Sequence, residues 1–194
     1  MSECKWDEFW YLVAVPKGEL FSEAVRIQKV LSDSLHIYKK TPPLIHITIS
    51  AVKQLGKGEL TEFSALVHEA LSSYNTIRIS SKSFECFTTP HKSLVLKIED
   101  NEDLNNLQKE LQAVLMEKGY LIMPAVANWI FHITIVSELF AFSHLPEEEF
   151  KKLCQRISLR KSPITGWIKS LELWRPSLDR KERVIAIYPI ESTC

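Results

Sequence analysis

The chain has 194 residues, of which 45% are hydrophobic and 25% charged, a balance that excludes a disordered or fibrous protein and suffices for one large or two small cores. Lysine plus arginine and aspartate plus glutamate both number 24, so no overall positive field exists to hold a long nucleic acid, and an anionic partner must be bound locally. The longest nearly apolar stretch, Tyr120 to Phe131, is interrupted by Pro124 and Asn128 and falls short of the roughly 18 residues a membrane span needs. The first eight residues are acidic and lack the basic start and apolar run of a secretory signal, which predicts a cytoplasmic protein. Cys4, Cys86, Cys154 and Cys194 are scattered without a C-x-x-C pair and are expected to be reduced thiols.

In chain order, Trp10 to Val15 reads as a buried strand, and Pro16-Lys17-Gly18 turns it into a helix with Leu20, Ala24, Ile27 and Leu31 on one face. A strand over Leu44 to Ser50 and a helix over Glu59 to Ser73 follow, the helix turning Leu60, Phe63, Val67 and Ala70 inward. Ile77 to Phe87 is strand material. The order then restarts. Leu94 to Ile98 is a strand, Glu102 to Glu117 a helix stopped by Gly119, and Ile130 to Val136 a strand. A helix over Glu147 to Ser158 has Pro146 before its first turn and three glutamates at its positive dipole end. Strands at Trp167 to Trp174 and Val184 to Ile190 close the chain. Strand-helix-strand-helix-strand thus occurs twice, at an offset of about 84 to 86 residues, which indicates an internal duplication with units at 9–88 and 92–190. The expected product is one α+β domain over residues 1–194, its two pseudo-twofold-related lobes facing each other across a cleft. A basic excess between Arg156 and Arg183, which includes Arg160, Lys161 and Arg175, reads as solvated helix-end and strand faces.

The repeat is sharpest at His46-Ile47-Thr48-Ile49 and His132-Ile133-Thr134-Ile135. One H-x-[S/T] tripeptide is weak, but a repeated tetrapeptide beginning with histidine is expected only about 0.004 times by chance in this composition. Residues two apart on a strand share a face, so His46 goes with Thr48 and His132 with Thr134, while the isoleucines between them point into the core. Under the pseudo-twofold, two imidazoles and two hydroxyls converge from opposite sides on one small site. A phosphodiester suits such a site: one imidazole is the base for the attacking oxygen, the other the acid for the leaving oxygen, and the threonines bind the phosphate oxygens. Either histidine can take either role. No H-E-x-x-H, Walker loop or acidic cluster is present, so neither a metal nor another cofactor is expected. His36, His68, His91 and His144 are not duplicated and are read as structural or solvent-facing; the tryptophans are read as core.

These motifs, with the opening Tyr11-Leu12-Val13-Ala14-Val15-Pro16, the Leu55-Gly56 pair and the closing Leu171-Glu172-Leu173-Trp174-Arg175-Pro176-Ser177, resemble the 2H phosphoesterases, and within them the bacterial RNA 2′,5′-ligase and RNA 2′,3′-cyclic phosphodiesterase branch. The resemblance covers nearly the whole chain. It implies a bilobed fold with an antiparallel sheet and flanking helices in each lobe around a central cleft, His46 and His132 as acid and base, and Thr48 and Thr134 as phosphate binders. It further implies metal-free hydrolysis of 2′,3′-cyclic phosphates or 2′-5′-linked esters at an RNA end or small nucleotide, run in reverse as a ligation. A monomer with no membrane partner is expected. The alternative is a binding protein that uses the same cleft to read a nucleotide or RNA end without turnover.

Overall fold

The computed structural model describes residues 8–38, 42–56, 58–123, 129–157 and 163–190; Pro124, Asn128, Ser158, Arg160, Lys161, Cys4 and Cys194, all used above, lie outside these. β1 (Phe9–Ala14) leads through Gly18, whose φ of 80° suits glycine, into α1 (Glu19–Leu35). The buried stripe of α1 is Leu20, Ala24, Ile27 and Gln28. β2 covers Ile47–Lys53, three residues later than the sequence suggests. Two causes lie in the segment before it: Pro42 and Pro43 have no N–H to give a ladder, and the carbonyls of Pro43 and Leu44 are taken by the side chains of Gln28 (2.8 Å) and His46 (2.7 Å).

α2 (Glu59–Leu71), β3 (Ile77–Phe87), β4 (Ser93–Ile98) and α3 (Glu102–Glu117) follow the expected bounds closely. The Asn101 side chain caps α3 by accepting from the Leu104 N–H at 2.9 Å. β5 spans His132–Ser137 and α4 Glu147–Ile157. The expected strand Trp167 to Trp174 is two strands, β6 (Thr165–Ile168) and β7 (Ser170–Trp174), which belong to opposite ends of the sheet. The alternation slips there, since Lys169 and Ser170 are consecutive polar residues between buried Ile168 and buried Leu171, and that break coincides with the crossing. A short helix, α5 (Arg180–Arg183), leads into β8 (Val184–Pro189).

The strands form an antiparallel sheet in the order β6-β3-β4-β5-β2-β1-β7-β8. Its halves meet at β2 and β5, where a single registered pair, Ile47 with Ile133, joins them. Each half mixes strands from both repeat units: β3 of the first pairs with β4 of the second, and β7 of the second with β1 of the first. Helices α1 and α4 pack on β5, β6 and β3, while α2 and α3 cover β8 and β2. Ile45, Ile47, Ile49, Phe131, Ile133 and Ile135 are all buried, as strand alternation requires.

Two expectations fail here. Cys86 on β3 and Cys154 on α4 form a disulfide, with Cα atoms 6.1 Å apart, and are not free thiols. Their separation of 68 residues hides a contact that arises only because α4 lies on β3. Arg183, read as solvated, is 7% exposed and lies over the Trp174 ring at 4.5 Å.

Gly166 permits the close approach of β6 to the start of α1. A Cβ there would meet Leu20 Cβ at 2.7 Å and the Lys17 carbonyl at 2.8 Å. Gly166→Ala is therefore expected to destabilise the fold by about 1–3 kcal/mol, read as a lower midpoint in denaturant.

Candidate active site

β2 and β5 bring the two H-x-T motifs together as neighbours in one sheet. They lie at the seam where the two halves of the sheet meet. Carrying the antiparallel register of Ile47 and Ile133 one residue each way sets His46 level with Thr134 and Thr48 level with His132, all on the face opposite the buried isoleucines. The local twofold of that pair exchanges the motifs.

The two imidazoles are held alike. His46 Nδ1–H donates to the Leu44 carbonyl at 2.7 Å, and His132 Nδ1–H donates to the Ile130 carbonyl at 2.8 Å, each acceptor lying two residues earlier. This bond selects the tautomer with Nδ1 protonated and leaves Nε2 as the atom able to take or give a proton. It also fixes the ring plane. The His46 ring lies 5.0 Å from Trp174, and the His132 ring meets Phe87 edge-on at 5.8 Å. Trp174 in turn carries Arg183 at 4.5 Å and donates its indole N–H to Glu172 at 2.7 Å. Trp129 donates to the Thr48 carbonyl at 3.3 Å, a further tie between the approach to β5 and β2.

Burial pushes His46 down to about 4; the Leu44 hydrogen bond opposes the shift, and the charges of His132 and Arg183 add to it. Burial also lowers His132, against the Ile130 hydrogen bond. Both rings are thus neutral at pH 7. For stability the sign follows directly: between pH 6.5 and about 4 the unfolded His46 binds a proton that the folded one refuses. Stability should fall as pH drops through that window. The fall is expected to be smaller in His46→Gln, measured by denaturant unfolding at a series of pH values.

A cavity of about 310 Å³ opens over this face, lined by His46, Thr48 and Thr134 together with Tyr11, Trp174, Arg175 and Arg183, and by apolar residues that include Leu139, Phe140 and Leu178. His132 is not part of its wall. It sits at the start of β5, two residues before Thr134 and beside Lys97, its cross-strand partner on β4, which is held by Glu85 at 2.8 Å. Trp174 is expected in the core and Arg175 at the surface. Trp174 is buried yet faces the cavity, and Arg175 is exposed at its mouth, 6.0 Å over Trp10. Arg183 was missed as a site residue. The only available signal was its place within the basic excess, because α5, which carries it, precedes the edge strand β8 and meets the site through the Trp174 ring. The remaining histidines stay apart: His36, His68 and His91 are exposed, and His144 Nδ1 pairs with Glu138 at 2.6 Å. Among the described residues no group of three or more His, Cys, Asp or Glu is placed to hold a metal ion, and no helix is long and apolar enough to cross a membrane.

A protein with this sheet and this twofold pair of motifs falls in a defined class, and the comparisons agree. The chain belongs to the 2′-5′ RNA ligase superfamily, the 2H phosphoesterases, whose family model matches residues 16–180. Among solved structures it is similar to TT0787 of Thermus thermophilus, with a TM-score of 0.68 at 17% identity over 96% of this chain and 100% of that one. It is also similar to E. coli LigT in complex with 3′-AMP, at 0.58 and 11%, and in complex with phosphate, at 0.56 and 10%; each covers 95% of both chains. At these identities the likeness is one of fold. No curated protein matches the sequence. Superfamily membership supports a phosphoesterase-type function.

Proposed function

We propose that the chain is a metal-independent phosphodiesterase that hydrolyses 2′,3′-cyclic phosphate or 2′-5′-linked esters at an RNA end or small nucleotide. With the 5′-hydroxyl of a second RNA in place of water, attack on the cyclic phosphate with cleavage of P–O3′ forms a 2′-5′ linkage, an RNA 2′,5′-ligation that uses the same acid and base. The observation that carries this reading is the matched anchoring of His46 and His132 through Nδ1, which leaves two Nε2 atoms oriented by one local twofold. Superfamily membership and the LigT complexes with phosphate and 3′-AMP lend support from outside the chain.

In the hydrolytic direction a water oxygen attacks phosphorus, and its proton passes to the neutral imidazole. The P–O2′ or P–O3′ bond breaks, and the departing oxygen takes a proton from the other, protonated imidazole. One water is added in net, and the two histidines end with their protons exchanged. Because His46 is held so far down, it favours the base role, with His132 as the acid. The bound phosphate anion restores the acid's proton by favouring the charged imidazole. Thr48 and Thr134 donate their hydroxyls to the non-bridging oxygens, and the guanidinium groups of Arg175 and Arg183 supply positive potential at the cavity wall. The protein acts as one domain over residues 1–194 and as a monomer.

The test is direct. Purified protein is incubated with 2′,3′-cyclic mononucleotides and cyclic-phosphate oligonucleotides, and the phosphate position in each product is identified. Turnover to a single phosphomonoester isomer is expected; tight binding without turnover would instead indicate a reader of nucleotide ends. Thr48→Val and Thr134→Val keep the β-branch and remove only the hydroxyl, so the strands should persist. Each variant is expected to lose about 10- to 100-fold in kcat/KM, less than loss of an imidazole, and unchanged kinetics in both would place the phosphate on other donors.

A further inference from the structure

A second cavity, of about 430 Å³, adjoins the first. Pro43, Leu44, Trp174, Leu178 and Arg183 line both, so these residues form a partition with one cavity on either side. The far side of the second cavity is the start of α1. Phe21 and Val25 there are 36% and 39% exposed, each one residue beyond the buried Leu20 and Ala24, and therefore turned about 100° off the core stripe. They are four residues apart and share a face, and with Pro42, also in the lining, they give this cavity an apolar wall. Cations stand nearby: Lys17, exposed, and Arg183, buried in the partition. The carboxylate in the wall, Glu172, is engaged by the Trp174 indole.

An apolar wall for a planar ring with cations beside it is what a nucleotide requires, and the shared partition places such a ligand next to the phosphate site. We propose that this second cavity holds the nucleotide adjoining the one that bears the reacting phosphate, so that the preferred substrate is an RNA end of two or more nucleotides and not a cyclic mononucleotide. Phe21 and Val25 contact the base, and Lys17 contacts the intervening phosphodiester. This rests on the phosphodiesterase reading of the first cavity and adds the substrate length to it.

The experiment compares kcat/KM for uridine 2′,3′-cyclic phosphate with that for a uridine dinucleotide ending in the same cyclic phosphate. The enzymes are the wild type, Phe21→Ala and Lys17→Ala. A preference for the dinucleotide of roughly tenfold or more is expected, the low end of what one stacked base contributes. Each variant should lose most of that preference while its rate on the mononucleotide stays unchanged. Equal kcat/KM for both substrates in the wild type, or variants that slow both equally, would overturn the subsite and leave the phosphodiesterase reading intact. If neither substrate turns over, that reading falls, and calorimetry with the 3′-phosphorylated mono- and dinucleotide then decides the subsite. Tighter dinucleotide binding that Phe21→Ala abolishes supports it, and equal affinities refute it.

Discussion

Replacing His46 or His132 by alanine is expected to lower kcat/KM by about 10²- to 10⁴-fold in each case, the range one positioned acid or base supplies, with little further loss in the double variant. The near-equality follows from geometry. Both rings are anchored by the same Nδ1 bond to the carbonyl two residues earlier, and one transition state needs both proton transfers. Neither imidazole is among the buried core residues, which around the motifs are Ile45, Ile47, Ile49, Phe131, Ile133 and Ile135. Circular dichroism should therefore report a folded protein in both variants. His132 lies outside the wall of the main cavity, so its variant is the more searching one. A folded His132→Ala that keeps near-normal turnover of every accepted substrate would remove the paired mechanism.

The second large effect is on the pH profile. The productive free enzyme carries one proton on the pair, so kcat/KM should trace a bell. Its rising limb reflects a group that must lose a proton, and burial has brought His46 down to about 4. Its falling limb reflects a group that must keep one, and burial places His132 below the ordinary 6.5. The optimum of kcat/KM should thus lie on the acid side of neutrality, between those limits, and both limbs belong to the coupled pair. In the substrate complex the phosphate charge favours imidazolium, so the kcat bell should be displaced upward. EDTA should change neither curve, because acid, base and oxyanion donors are all side chains of this chain. Inactivation by EDTA that a divalent metal restores would sink the mechanism, and a profile that climbs steadily with pH would remove the histidine acid.

The linear order of residues already determined much of this. Strand alternation made His46 with Thr48 and His132 with Thr134 into units, with Ile45, Ile47 and Ile49 in the core beneath, because side-chain direction on a strand has a period of two. The duplication announced the twofold. Helix bounds such as Glu102–Glu117 were legible because caps and apolar stripes are local. Tertiary structure decided what depends on contacts distant in sequence. It set the two motifs side by side through one pair, Ile47 with Ile133, and exchanged β3 and β7 between the halves of the sheet. The same packing joined Cys86 to Cys154, split the final strand at Lys169, and laid Arg183 over the Trp174 ring beside His46. Apart from the slipped alternation at Lys169-Ser170, none of these leaves a trace in local periodicity, which records which face of an element is apolar and is silent about which other element that face will meet.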